Sequence, residues 1–294
     1  VLGPRVVAAG RPIAMTGGHL WRWARQADGP AEVRRAVREQ IRSGAGVIKV
    51  MATGGLTTPG EPGAPELGED EIAIAVGEAR NAGLLVAAHA HAGEGISAAV
   101  RAGVATVEHG GLIGPAERAL MLASGATLVP TLSPVLRLPA DGEVDADVVG
   151  KTHRIRPAYA RNIAAAIREG VRIAAGTDAG CAYNPVGGVA DEVAAYVELG
   201  MDPAAALRSA TVDAARAIGL DGGVVAPGAP ADLVVLDADP RADIGLLRAP
   251  RRVIRAGGVL DLDTLEAMIA ALGGRNERRP MAGVAALLQE GDEQ

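Results

Sequence analysis

The stretch LVAAHAHAGEGISAAVRAGVATVEHGG, residues 85–111, contains one complete repeat of the chain's architecture. Two short apolar runs each end in a histidine, and a segment with helical spacing lies between them. His89 and His109, twenty residues apart, then stand at the ends of successive strands joined by a helix. That is the βαβ unit of a parallel sheet. The same stretch holds three of the chain's five histidines, His91 being the third.

Outward from this unit the alternation continues. Apolar runs fall at 5–10, 46–52, 84–90, 104–110, 126–132 and 171–178. Helical segments lie between them, such as AEVRRAVREQIRSG (31–44) and EDEIAIAVGEARNAG (69–83), the second closed by a stop signal. Six βα units before residue 178 and two further helices, VADEVAAYVELG and DPAAALRSATVDAARAIG, fit an open doubly wound sheet or a (β/α)8 barrel. Chemistry-bearing residues at the carboxyl ends of several strands favour the TIM-type barrel, spanning 1–221 and two units short of closure. From 222 to 262 short Gly- and Pro-broken β signals read as a small β appendage, and 263–294 as a helix and tail.

Composition narrows the function. Aromatics make up 2% of the 294 residues and Phe is absent, which disfavours base stacking, and a net charge of −6 disfavours phosphate binding. Nucleic acid is therefore an unexpected partner. A lone cysteine, Cys181, excludes an intrachain disulfide and suits a reducing compartment. With no signal-peptide pattern and no apolar run of spanning length, the expectation is a cytoplasmic protein without a membrane partner.

Four residues stand at strand ends: Lys49 in VIKVMATGG, His89, His109, and Asp178 in AAGTDAG. Any one histidine in an apolar setting is more often a core residue than a ligand. Two at successive strand ends with a carboxylate make a plausible zinc set, since Zn2+ takes imidazole nitrogen and carboxylate oxygen. Lys49 leaves three readings open. It could be a salt-bridged lysine, a Schiff-base lysine of an aldolase-like barrel, or a lysine that has taken up CO2 to become an anionic carbamate ligand.

The chain resembles the amidohydrolase superfamily of metal-dependent hydrolases, within it the imidazolonepropionase-like and Xaa-Pro dipeptidase group. The likeness rests on GAGVIKVMATGG, VAAHAHAGEGISAAVRAGVATVEHGG, AAGTDAG, and ALRSATVDAARAIGL followed by GVVAPGAPADLVVLDADP. It implies that Lys49 is a carboxylated lysine bridging up to two divalent metals, zinc being the family expectation. It implies that His89 and His109 complete one metal's ligands, and that Asp178 binds the other and carries a proton between the attacking water and the leaving amine. The implied substrate is a small dipeptide or amide. Schiff-base chemistry at Lys49 and an inactive binding relative are the alternatives.

The family also carries an His-x-His pair at its first barrel strand, and none stands near the start here; the resemblance thus implies a barrel lacking its first two βα units, with 222–262 as part of the family's small β-sandwich. The expectation is a partial sequence, or less readily a shortened protein that completes its barrel as a homo-oligomer. His91, two residues beyond His89, faces the same side of a strand and could contact substrate. His19, in MTGGHLW, matches a family position associated with the pocket. His153 is expected at the surface, at the start of a long helix. Glu108 is expected to point away from the pocket by alternation. The loop GLTTPGEPGAPELG (55–68) reads as a lid or a long connection.

Overall fold

The computed structural model describes residues 3–138, 144–180, 183–264 and 267. Cys181 and nearly all of the expected C-terminal helix and tail lie outside these. In chain order the elements are β1 (Ile13–Ala14), β2 (Arg25–Gln26), α1 (Pro30–Arg42), β3 (Ile48–Met51), α2 (Glu69–Asn81), β4 (Val86–Ala92), α3 (Gly93–Ala102) and β5 (Thr106–Leu112). There follow α4 (Pro115–Ser124), β6 (Thr127–Val129), α5 (Leu132–Arg137), α6 (Ala146–Glu169), α7 (Val189–Glu198), α8 (Pro203–Ser209) and α9 (Val212–Ala217). Three short strands close the series, β7 (Leu233–Val235), β8 (Arg252–Arg255) and β9 (Gly258–Leu260).

Six strands form one parallel sheet in the order β2-β1-β3-β4-β5-β6. With its covering helices it is part of a (β/α)8 barrel. β7, β8 and β9 make a separate antiparallel sheet. The core is aliphatic because the chain has no Phe. Ile48, Val50, Ala88, Val107 and Leu128 on the strands, and Val33, Val37, Ile72 and Ile96 on the helices, are fully buried. Each Val, Leu or Ile so buried contributes about 1.5–3 kcal/mol. Gly103 ends α3 in the left-handed conformation (φ 93°), which turns the chain directly into β5.

Three expectations need correction. Residues 5–10 are not a strand. Val6 is 77% exposed, and the first strand is Ile13–Ala14, beyond Gly10. Residues 171–178 form only a single parallel bridge, Ile173 to Leu128, so this run lies beside β6 without becoming a regular strand. The expected last helix is two, α8 and α9, with Thr211 between them at φ −125° and ψ −99°. His153 is exposed as expected, though it lies inside α6 and not at its start. Among the described residues no helix is long and apolar enough to cross a membrane.

Candidate metal and active site

β4 carries His89 and His91 on alternate positions, which turns both to one side of the strand. β5 runs parallel beside it, with Ala90 opposite His109. His19 arrives from the turn after β1. The result is a cluster of four buried imidazoles. Ring centroids lie 4.2 Å apart for His19 and His89, 4.9 Å for His89 and His91, 4.5 Å for His89 and His109, and 4.7 Å for His91 and His109.

Burial sets the charge of this cluster. Loss of water pushes the His19 imidazole down to about 4 and that of His91 to about 3, with the Lys49 charge acting the same way. His89 and His109 are held well below the ordinary 6.5, first by burial and then by their neighbours. All four are neutral at pH 7, the form that offers a lone pair. His89 Nε2 and His91 Nδ1 are buried with no hydrogen-bond partner. One ring nitrogen from each of His89, His91 and His109 falls within 4.8 Å of the others. Unpartnered buried nitrogens are costly, and a divalent cation satisfies such a donor set. The residues present therefore fit a metal.

The cluster forms part of the wall of a cavity of about 590 Å3, lined also by Lys49, Glu108, Thr131, Tyr159 and Asp178. Apolar side chains line it as well, among them Leu20, Trp23, Leu56, Pro134 and Val135. Lys49 Nζ donates to the Glu108 carboxylate. Glu108 thus faces the cavity, against the expectation from alternation. His109 sits at φ 74° and Gly110 at φ 59°, and the β4–β5 register shifts between Ala90 and Ala92. This irregularity breaks the pleat and admits both Glu108 and His109 to the same side. Side chains at the next two positions are excluded: a Cβ on Gly110 would lie 2.5 Å from Leu128, and one on Gly111 2.0 Å from the Tyr159 ring.

Asp178 opens to water within the cavity while protein surrounds its other sides. That partial desolvation pushes its carboxyl up; Lys49 opposes the shift and Glu108 adds to it. His109 Nδ1 lies 2.7 Å from Thr131 Oγ1. His19 is held through its backbone N–H, which donates to Glu66 at 2.7 and 2.9 Å, and through Nδ1, 2.7 Å from Thr58 Oγ1. Thr58 belongs to the 55–68 loop, whose Leu56 and Thr57 reach the cavity. Among the described residues five non-glycine positions have positive φ, and four of them, Leu20, His109, Thr131 and Asp178, line this cavity. Each costs on the order of 1–3 kcal/mol and persists only where surrounding contacts impose it.

All six residues singled out from the sequence, His19, Lys49, His89, His91, His109 and Asp178, line this one cavity. Glu108, Thr131, Tyr159 and Glu66 were not foreseen. Thr131 follows an apolar run and Pro130, the same strand-end position that marked the histidines. Glu66 and Tyr159 carry no comparable local signal, being remote in sequence from what they touch.

The Amidohydrolase family profile matches residues 1–266. Ochratoxinase from Aspergillus niger is 32% identical over 285 residues, covering 86% of this chain and 58% of the enzyme, so the chain spans under two thirds of that relative. An uncharacterised protein of Mycobacterium tuberculosis is 34% identical over 257 residues, covering 86% of this chain and 68% of its own. Among solved structures, a Xaa-Pro dipeptidase with methionine in its active site superposes with a TM-score of 0.82 at 32% identity, covering 89% of this chain and 69% of that one. A prolidase in complex with N-methylphosphonate-L-proline gives 0.81 at 34% identity, covering 89% and 70%. The chain belongs to the amidohydrolase family.

Proposed function

We propose that this protein hydrolyses an amide or peptide-like C–N bond in a small molecule, with dipeptides of the Xaa-Pro type as the first substrates to try. The observation that carries the reading is the buried, neutral cluster of His89, His91 and His109 with unpartnered nitrogens, opening into the same cavity as Asp178. His89 and His109, with His91 as a third imidazole, would hold a divalent ion, zinc by its preference for nitrogen and carboxylate donors. Such an ion lowers the pKa of bound water toward about 7 and polarises a carbonyl.

Asp178 supplies the proton traffic. Its carboxylate accepts a proton from the attacking water and returns it to the departing nitrogen, so that water splits into the hydroxyl of the new acid and the hydrogen of the new amine. A carboxyl raised by desolvation is suited to that return. The apolar lining of Leu20, Trp23, Leu56, Pro134 and Val135 favours an uncharged or hydrophobic acyl portion. His19 would contact the substrate from the cavity wall, and His91 would do so only where the ion is held without it.

Lys49 enters as a carboxylated ligand to one or two ions, the role implied by the resemblance. A carbamate there would set a negative charge against Glu108, so the Lys49–Glu108 pair must part for it to form. The competing Schiff-base reading requires Lys49 to leave Glu108 as well and makes no use of the three imidazoles. Borohydride trapping with a carbonyl substrate separates the two.

The test is release of free amino acid from a panel of Xaa-Pro and N-acyl amino acids by the zinc-loaded chain. Hydrolysis abolished in Asp178→Asn, which keeps its metal, is the expected result. A metal-loaded chain that cleaves none of the panel would reject the reading in favour of a binding protein.

A further inference from the structure

Asp178 keeps a left-handed backbone, φ 47°, at the mouth of a run that forms no regular strand. Something outside the sheet must impose it. Asn184, 0% exposed, does so at three points. Its Nδ2 donates to the carbonyls of Thr177 at 2.7 Å and Asp178 at 3.2 Å, and its own carbonyl accepts from the Gly180 N–H at 3.0 Å. The amide cannot flip. Its Oδ1 faces Arg137 Nη1 at 2.9 Å, and a guanidinium has no acceptor while carbonyls have no donor.

Arg137, at the end of α5, is 2% exposed, an expensive place for a guanidinium. Asp191 in the first turn of α7 takes its charge, and shares its other oxygen with Arg248 Nε at 2.6 Å. Close packing holds the fork in place: a Cβ on Gly188 would lie 2.6 Å from Arg137 Nη1. Neither Asn184 nor Arg137 lines the cavity. The Asn184 amide therefore acts on the backbone of Thr177 and Asp178, and Arg137 acts on that amide, not on a ligand in the cavity.

We propose that Asn184, fixed by Arg137, is the positioning residue that sets the Asp178 carboxyl toward the cavity, and that turnover depends on it. The proposal rests on the reading of Asp178 as the proton carrier. Geometry of this kind weighs heavily on rate, since misplacing a reacting group by about 1 Å costs about 100-fold.

The test uses the full zinc-loaded chain and two readouts. In Asn184→Asp, which keeps size and the acceptor for Arg137 but turns an anion on two carbonyls, amide exchange in the peptide from Ala174 to Asn184 should rise about 10-fold or more. Exchange around His109 and the zinc content should match wild type. On a substrate that wild type cleaves, kcat should fall about 10- to 100-fold with KM within about threefold. Arg137→Lys, which keeps the charge on Asp191 but loses the fork, should give the same changes in smaller degree and serves if Asn184→Asp does not fold. Arg248→Ala, which removes only the outer partner of Asp191, should leave both readouts as in wild type. Unchanged exchange at 174–184, or raised exchange with unchanged kcat, overturns the proposal. If wild type cleaves nothing, the functional reading fails, and the exchange comparison alone still decides whether Asn184 holds this segment.

Discussion

Thr131 Oγ1 stands 2.7 Å from His109 Nδ1, and both residues have left-handed backbones. The contact fixes the ring orientation of His109 and leaves Nε2 as its free nitrogen. Partners of this kind around a metal-binding histidine are typically worth about 10- to 100-fold in affinity. Thr131→Val keeps the shape and removes the hydroxyl. Zinc affinity, measured by competition with a chelating dye, should weaken by about that factor. Equal affinity would mean that His109 is not held for a metal.

Glu192 ties α7 to the start of α5. Its carboxylate is fully buried and accepts from the Leu132 N–H at 2.6 Å, the Ser133 N–H at 2.8 Å and Ser133 Oγ at 2.5 Å. Glu192→Gln would turn an amide NH2 toward these donors. The expected loss is about 1–3 kcal/mol of stability, read by chemical denaturation. A neutral effect would mean that the turn carrying Thr131 is set by other contacts.

Two glycines should respond with opposite signs. Gly111→Ala places a methyl 2.0 Å from the Tyr159 ring and should destabilise by about 1–3 kcal/mol, because Tyr159 is buried and its hydroxyl is bound to the Pro130 carbonyl at 2.6 Å. Gly77, inside α2, has open space around it. There Ala should stabilise by about 0.5–1 kcal/mol through helix propensity and chain entropy. Urea midpoints of the two variants check both signs.

The buried histidines fix the acid behaviour of the metal-free chain. His19 and His91 titrate at about 4 and about 3 when folded, and His89 and His109 also lie well below 6.5. As pH falls through 6.5 the unfolded chain binds protons that the folded chain refuses, so stability falls from there downward. Glu66, Asp178 and Glu192 act in the opposite sense, since burial raises each of them and folding then favours their protonation. The four histidine shifts should win. Thermal midpoints of the metal-free chain should drop between pH 6.5 and 4.5, and bound zinc, which holds the same imidazoles free of protons, should raise the midpoints without flattening the drop. A flat profile would contradict the burial of neutral imidazoles.

Much of this site was legible because strand ends in a parallel barrel converge. The spacing of His89 and His109 across one helix was enough to place them side by side, and period-two alternation placed His91 beside His89. The expectation for Glu108 failed because His109 is the residue that breaks the alternation: Glu108 pairs in register with His89, and the positive φ of His109 with the register shift that follows brings the histidine to the same side. No local pattern announces such a break in advance. The first and last strands were misread because apolar content alone does not make a strand; Val6 lies outside the sheet and Ile173 finds only a bridge. Arg137 reaches Asn184 across 47 residues of sequence and Glu192 reaches Leu132 across 60, a range at which no periodicity speaks, while Asn184 lies 6 residues from Asp178 with no pattern to mark it as that carbonyl's partner.

Metal binding by the imidazoles of His89, His91 and His109 underlies the whole of the proposed chemistry. Elemental analysis of the chain after loading with zinc and exhaustive dialysis, with His89→Ala and His109→Ala alongside, measures it. About one zinc or more per folded wild-type chain, lost in both variants, is the expected result. A folded wild-type chain without bound metal, or variants that retain all of it, would show that these imidazoles hold no metal.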